Sequence, residues 1–234
     1  PMARVMVIHP PLWVPPGFVD SPVFGVLGAL DVMEQLELRG HETFLIDALV
    51  QGEASARSNE GLRIGCTLPE LLALVEAALT RAPFDWIAIQ RSPYHRTRRN
   101  VEGVLDPLLT GIAEGCAPGT GDHPGPGLAF FDGHLGDIHY IQDEPTRLFA
   151  RYPSLDALAP RESSQAMVAL VEGRDAPGLL RRPGPARAQG PASSQTPAPR
   201  ERASSPLERL DIGAYTARYR LFGDEDLIQE YHQG

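Results

Sequence analysis

The sequence predicts an α/β fold in which a doubly wound, mainly parallel sheet of five strands lies between helices. Short apolar runs alternate along the chain with segments whose apolar residues recur at helical spacing. The first run, RVMVIH at residues 4–9, is apolar almost throughout, which is typical of a parallel strand covered on both faces. Because this alternation continues over about residues 1–180, we expect a Rossmann-like domain of the flavodoxin-like type.

The first three elements form a strand–helix–strand unit. After the strand at 4–9, apolar residues fall at helical spacing from Phe24 to Arg39, and Gly40 supplies a C-terminal stop. The run HETFLID, 41–47, is a second strand that ends on Asp47. Such units connect parallel strands with a right-handed crossover in about 98% of cases.

The remaining elements follow the same alternation after a polar excursion at 50–65. Helices are predicted at 68–82, at 100–115 and at 163–173, the last with a serine as its cap. In the helix at 100–115, Pro107 is either a local break or part of the first turn of the second half. The runs FDWIAIQRS (84–92), LAFFDG (128–133) and YPSLDALAP (152–160) each carry a strand. We expect the five strands to be centred near Val7, Phe44, Ile87, Phe130 and Ala157.

The composition changes after the predicted domain, which covers residues 1–182. Residues 183–206 are rich in Pro, Ala, Ser and Arg without periodicity, so they offer little apolar surface to offset the entropy cost of ordering. We interpret them as a linker. Residues 207–234 regain apolar and aromatic residues and are predicted to form a short helical tail.

Charge and cysteine content exclude several function classes. The formal net charge is −9 and every basic residue is an arginine, so the chain lacks the dense cationic face of a nucleic-acid binder. Cys66 and Cys116 are far apart and form no CxxC or CxxxCxxC pattern, so we predict no metal ligands and two free thiols. Without an apolar stretch of membrane-spanning length or a signal peptide pattern, we expect a cytoplasmic protein with no membrane partner.

Function is expected where the strands end, because ligands of doubly wound sheets bind beyond the carboxyl ends of the strands. The sequences at these exits are HPPLWVPPGF, RSPYHRTRR, DGHLGDIHY and PRESS. None contains the GxGxxG or GxxxxGK[ST] pattern that cradles phosphates, which argues against an ordinary dinucleotide or P-loop site. Asp47 stands where a dinucleotide fold has a ribose partner, but without the glycine pattern this signal is weak.

An ordered series of motifs resembles a known family. RVMVIHPP, SPVFGVLGALDVMEQLELRGHETFLID, FDWIAIQRSP, LAFFDGHLG and YPSLDALAPRESSQAMVALVEG are similar, in this order, to the cobalamin-binding N-terminal domain of radical S-adenosylmethionine enzymes. The resemblance covers residues 4–182, and LERLDIGAYTARYR resembles the lead-in to that family's catalytic barrel. No single motif is decisive, so the resemblance depends on the order of the series.

The resemblance implies a cobalamin-binding module that supports radical chemistry, in particular methyl transfer. It implies base-off cobalamin without a protein histidine on cobalt, and no catalytic residue in this chain. The family's CxxxCxxC motif is absent here, so S-adenosylmethionine and the 4Fe-4S cluster would bind a radical S-adenosylmethionine catalytic domain in cis or in trans. The chain is then a fragment of a longer enzyme or a stand-alone module. The implied cofactor-binding residues are Pro10, Pro11, Leu12, Ser92, Pro93, Gly133, His134 and Glu162.

Two turns depart from the family pattern, and several residues allow a simpler interpretation. Asp132-Gly133 replaces a Gly-Gly turn and residues 160–163 replace a Gly-Glu-Gly-Glu turn, which places cobalamin binding in question. His134 lies in DGHLGD, one residue too short for the DxHxxG pattern of cobalt-ligating histidines, and is more simply a loop residue. The prolines after the first strand either wall the corrin face or merely end the strand.

The arginines at the third strand exit, in RSPYHRTRR, leave another choice open. One guanidinium would suit a cofactor phosphate, or the group is a solvated basic helix start. For the whole chain, a second function remains open: a degenerate Rossmann-like interaction or regulatory subunit that no longer binds the cofactor. A weaker third interpretation is a small-molecule transferase that uses the same crevice.

Overall fold

A computed structural model describes residues 2–15, 26–51, 56–58, 61–115, 125–132, 145–160 and 163–183. The strands are β1 Arg4–His9, β2 Leu12–Val14, β3 Glu42–Asp47, β4 Ala56–Ser58, β5 Gly61–Ile64, β6 Trp86–Arg91, β7 Gly127–Asp132, β8 Ala157–Ala159 and β9 Leu180–Arg181. The helices are α1 Val26–Leu38, α2 Leu68–Arg81, α3 Arg98–Asn100, α4 Asp106–Gly115, α5 Pro145–Arg151 and α6 Ser163–Val171. A 3-10 turn, Pro93–Arg96, follows β6.

The main sheet of the described residues has the strand order β3-β1-β6-β7-β8-β9. The first five of these strands are parallel to their neighbours, and they lie at the five positions predicted from the apolar runs. The α/β class and the mainly parallel sheet are therefore confirmed. The predicted count of five is wrong by one, because β9 adds a short antiparallel strand beside β8.

Helices cover both faces of this sheet, since side chains of a strand point to its two faces in turn. On one face, Met6 and Ile8 of β1 belong to a core with α2, α4 and α5. On the other face, Val5 and Val7 belong to a core with α1 and α6. The central strands β6 and β7 are buried along their whole length, which explains their continuous apolar sequences.

A second, three-stranded sheet with the order β2-β5-β4 corrects two expectations. Residues 50–65 are predicted as a polar excursion, yet they contain β4 and β5, which pair antiparallel with each other. The loop after β1 also contains a strand, because β2 pairs antiparallel with β5. Gly65 makes the tight connection to the main sheet possible: its φ is +97°, and a Cβ there would lie 2.4 Å from the carbonyl oxygen of Ala48.

Of the two alternatives predicted for Pro107, the structure confirms the second: the residue lies in the first turn of α4, the second half of the helix, after a π-helical turn. Helical structure runs from Arg98 to Gly115, and Val101–Leu105 forms the π-turn just before Asp106 and Pro107. The N–H of Asp106 donates to the carbonyl of Val101, five residues earlier. Proline has no N–H to continue the α-helical pattern, so the wider turn accommodates it within a continuous helix.

The structure also bears on the predicted cap of α6, on the state of Cys66 and on the expectation of no membrane-spanning helix. Ser163 does not cap α6 as predicted, because it is the first residue of the helix and the single proton of its hydroxyl is directed to the carbonyls of Asp132 and Ala159, which share it. Cys66 is a free, buried thiol, and burial raises its pKa to about 11. No helix in the described ranges has the length and apolar character needed to cross a membrane. Cys116 and the predicted linker and tail beyond residue 183 lie outside the described residues.

Candidate functional site

The candidate site lies at the carboxyl edge, which we define as the last residues of β1, β3, β6 and β7 with the segment 92–100 that follows β6. The last residues of these four strands are His9, Asp47, Arg91 and Asp132. All four are polar or charged, and none is more than 5% exposed. Buried polar groups are costly unless they are hydrogen-bonded, so their partners show how this edge is built.

His95 joins the exits of β6 and β1. Its Nδ1 accepts a hydrogen bond from the backbone N–H of Ser92 at 3.1 Å and lies 2.9 Å from the hydroxyl of Ser92. Because this N–H can only donate, the ring proton is on Nε2, which donates to the carbonyl of Pro11 at 3.2 Å. The proline loop after β1 is therefore fastened to β6 by a fully engaged imidazole.

The surroundings of His95 keep its ring neutral. The side chain is only 1% exposed, and this burial, with His9 and Arg91 nearby, lowers its pKa from 6.5 to about 3. The ring of His9 stands edge-on, with the two ring centroids 6.5 Å apart. Protonation of Nδ1 would also oppose the N–H of Ser92 with a second donor.

This low pKa predicts that acid weakens the fold through His95. Between pH 6.5 and pH 3 the unfolded chain binds a proton that the folded chain does not, so the free energy of unfolding falls as the pH is lowered. We expect a loss of about 1–2 kcal/mol between pH 7 and pH 5 from this group. Urea unfolding at both pH values should show a smaller difference in the free energy of unfolding for His95→Gln than for the wild type. Equal differences would contradict the prediction.

Asn100 holds Trp13 of β2, two residues after Pro11. Its Oδ1 accepts from the backbone N–H of Trp13 at 2.7 Å, and its Nδ2 donates to the carbonyl of Trp13 at 2.8 Å and to that of Tyr94 at 3.0 Å. The side-chain amide therefore pairs with the outer edge of β2 as a neighbouring strand would. The guanidinium of Arg99 covers the Trp13 ring, 3.9 Å from its centroid.

Asp132 connects the exits of β6 and β7 through two arginines. Its Oδ1 accepts from Arg91 at 3.0 Å and its Oδ2 accepts from Arg96 at 3.0 Å. The Arg91 guanidinium also lies 4.9 Å from the ring centroid of Phe130. Two of the arginines considered for a cofactor phosphate thus bind a carboxylate of the protein itself, while Arg98 pairs with Glu102 on the surface.

His9 and Asp47 form a buried pair at the ends of β1 and β3. The two residues are in register as Cα partners, and Nδ1 of His9 lies 3.0 Å from Oδ1 of Asp47. A carboxylate can only accept, so Nδ1 carries a proton and donates. The same oxygen accepts from the backbone N–H of Leu49 at 3.0 Å. This bond and the backbone bond together hold the ends of β1 and β3 in place.

The residues implied by the family resemblance have the following positions. Pro10, Pro11 and Leu12 are buried in the loop after β1, and Leu12 packs in a small apolar cluster with the second sheet. Ser92 is 7% exposed and bonded to His95, and Pro93 begins the 3-10 turn after it. Gly133, His134 and Glu162 lie outside the described residues. The structure thus brings the first five of the eight to one edge of the sheet.

The roles of His95 and Asn100 at this edge could not be predicted from the sequence. His95 and Asn100 are ordinary polar residues in a basic stretch, and their partners Pro11 and Trp13 are more than 80 positions away in the sequence. One signal was available, since Asp47 and Asp132 each end an apolar strand, where a lone carboxylate needs a partner.

A shallow groove of about 350 Å³ lies away from this edge. It runs between α5 and β9, with Phe149, Leu180 and Arg182 in its walls. The guanidinium of Arg182 donates to carbonyls of Phe149, Tyr152 and Leu155, so it ties the end of α5 to the sheet. None of the residues that line the groove belongs to the carboxyl edge.

Comparisons with known proteins found no matching family model and no matching curated protein. Among solved structures, the radical S-adenosylmethionine methyltransferase TsrM from Kitasatospora setae, with cobalamin and a 4Fe-4S cluster bound, is 14% identical, with a TM-score of 0.49 over 85% of this chain. A second TsrM structure, with tryptophan substrate and the analogue aza-SAM, is 14% identical, with a TM-score of 0.47 over 76% of this chain.

The apo form of the cobalamin-dependent S-adenosylmethionine radical enzyme OxsB is similar at the same level. It is 14% identical, with a TM-score of 0.43 over 76% of this chain. The chain spans 32% of the TsrM chain with cobalamin and the cluster, 28% of the TsrM chain with tryptophan and aza-SAM, and 20% of the OxsB chain.

Proposed function

We propose that this chain is a cobalamin-binding module of a radical S-adenosylmethionine enzyme and that it supports methyl transfer. The observation that carries the proposal is the carboxyl edge, where two segments of the family-like series meet. His95 joins two segments there: the loop after β1, which belongs to the HPP motif, and the loop after β6, which belongs to the RSP motif. A doubly wound sheet binds its ligands at this edge.

The arrangement of the parallel strands supports the same proposal. In order of appearance in the chain, the five parallel strands stand 2-1-3-4-5 across the sheet. This is the flavodoxin-like order. Its switch point, the place where the strand order reverses direction, lies between the first and third strands, and the ligand crevice is expected there. Here these are β1 and β6, the strands whose exits carry Pro10, Pro11 and Ser92.

The fixed conformation of the loop after β1 supports a bulky, mostly apolar cofactor at this edge. His95 and Asn100 fix the loop of Pro10–Trp13, so a ligand meets a rigid surface and little chain entropy is lost on binding. Both nitrogens of His95 are engaged within the protein, so this ring could bind cobalt only by giving up one of its hydrogen bonds. When bound, cobalamin would supply a cobalt centre that carries the methyl group.

The proposed ligand set keeps the residues of the resemblance. The proposed set consists of Pro10, Pro11, Leu12, Ser92 and Pro93 at the described edge, together with Gly133, His134 and Glu162, which lie outside the described residues. S-adenosylmethionine and the 4Fe-4S cluster bind a catalytic domain in cis or in trans, since this chain has no CxxxCxxC motif.

The proposal is tested by titrating the folded chain with hydroxocobalamin. After gel filtration, the visible absorbance of the cofactor should elute with the protein in a ratio that saturates near one. Folded protein that elutes without cofactor would contradict the proposal. The degenerate interaction or regulatory subunit would then be favoured, because Asp132 occupies a glycine position of the family and is used for a buried ion pair.

A further inference from the structure

Asp47 has one carboxylate oxygen without a use in the fold. Its Oδ1 accepts two hydrogen bonds, from His9 and from Leu49, whereas Oδ2 has no hydrogen-bond partner among the described residues. The residue is only 2% exposed. A buried acceptor without a donor is costly, so a native protein that keeps one usually has a use for it.

The neighbouring imidazole presents a second polar atom that has no hydrogen-bond partner among the described residues. Nδ1 of His9 donates to Asp47, and no hydrogen bond joins Nε2 of His9 to any residue within the described ranges. His9 is 3% exposed and ends β1, one residue before the proline loop. The pair therefore stands beside the switch point with two atoms able to bind a ligand.

The chemistry of the two atoms selects the class of ligand group. Oδ2 of Asp47 needs an N–H or O–H donor. Nε2 of His9 accepts from such a group when the ring is neutral and donates to a carbonyl when the ring is protonated. A primary carboxamide has two N–H donors and a carbonyl oxygen, so it suits the pair in either state. Because the pair is almost fully buried, the group must be small and stand at the end of an arm.

We infer that the His9–Asp47 pair binds a primary carboxamide of the ligand, and, resting on the proposed function, that this is one of the carboxamide arms around the corrin ring. The bond forms between the amide N–H and Oδ2 of Asp47. Charge-assisted hydrogen bonds of this kind are stronger than neutral ones, and they are stronger still where water is excluded.

Asp47→Asn reverses the hydrogen-bonding character of this one position. Its side-chain oxygen can keep the bonds from His9 and Leu49, while an NH2 group replaces Oδ2 and donates where the wild type accepts. We expect hydroxocobalamin to bind this variant about 10-fold more weakly, with little change in thermal stability, because a carboxamide that turns its carbonyl toward the new NH2 forms a neutral hydrogen bond in place of the charge-assisted one. Asp156→Asn is the matched control: Asp156 Oδ2 accepts from Leu128 N–H at the opposite edge of the sheet, so this variant should bind like the wild type.

A change on the ligand tests the same bond from the other side. In the cobalamin b-, d- and e-monocarboxylic acids, one carboxamide is replaced by a carboxylate. One of the three should bind the wild type more weakly than cobalamin does, because its carboxylate meets Asp47. The same acid should recover affinity with Asp47→Asn, whose NH2 donates to it. Affinities are read from absorbance titrations, independently of any activity.

The outcomes separate this inference from the function on which it rests. If the wild type does not bind hydroxocobalamin, both the function and the carboxamide site are wrong. If the wild type binds and Asp47→Asn binds equally well, with no preference among the three acids, only the carboxamide site is wrong. Weaker binding by Asp47→Asn with recovery by one acid supports both.

Discussion

Asp132→Ala is expected to lower the free energy of unfolding by about 3–5 kcal/mol. The wild-type carboxylate holds two arginines at 3.0 Å, and the side chains of Arg91 and Asp132 are each only 3% exposed. Alanine removes the negative charge but leaves both guanidinium groups in place. A buried charge that loses its counter-charge is costly, because the protein interior solvates it far less than water does.

The matched control is Glu42→Ala, which also breaks an arginine–carboxylate pair. Arg4 and Glu42 are 38% and 43% exposed, so their pair should contribute no more than about 1 kcal/mol. Chemical denaturation of both variants at neutral pH compares the two directly. A loss below about 1 kcal/mol for Asp132→Ala would show that the pair does not hold the exits of β6 and β7 together.

Asn100→Leu is expected to destabilise the protein by about 2–4 kcal/mol and to weaken cobalamin binding as well. Leucine is similar in size but cannot hydrogen-bond, so the N–H and carbonyl of Trp13 lose this partner, while the carbonyl of Tyr94 keeps the bond from the N–H of Thr97. The loop between β1 and β2 is then free to move away from the segment after β6. Binding should weaken because the surface that meets the cofactor is no longer held in one conformation.

Two variants in the same segment show whether lost hydrogen bonds cause the destabilisation expected for Asn100→Leu. Asn100→Asp keeps an acceptor for Trp13 N–H but loses both donated bonds, so its stability should lie between the wild type and Asn100→Leu. Arg98→Ala removes a pair whose arginine is 86% exposed and should change stability by less than about 0.5 kcal/mol. Equal stabilities for Asn100→Leu and Arg98→Ala would contradict the role of Asn100.

The main sheet could be predicted because its strands carry their own signal. Runs such as WIAIQR and GLAFFD are buried on both faces, so nearly every residue in them must be apolar. The second sheet has no such signal. Its strands are three or four residues long, and β4 contains only Ala, Arg and Ser. They form because β2 meets β5 across some fifty residues of chain, which local sequence does not reveal.

The position of the candidate site could be predicted from the sequence, but the contacts within it could not. The strand exits and the proline loop follow from the topology rule for parallel sheets. The bond from His95 to Pro11 depends on the 3-10 turn that orients the ring, and propensity does not fix such a turn. Asp132 was interpreted as a departure that removes a glycine, whereas the structure shows the carboxylate binding Arg91 and Arg96.

The central claim is tested most directly by electron paramagnetic resonance of the chain loaded with cob(II)alamin and freed of excess cofactor. We predict a protein-bound Co(II) signal without the triplet splitting that a coordinated nitrogen imposes, as base-off binding without a histidine requires. Absence of bound cobalt in folded protein would contradict cobalamin binding itself. A triplet would contradict base-off binding without histidine, and its loss in His9→Ala would identify His9 as the cobalt ligand.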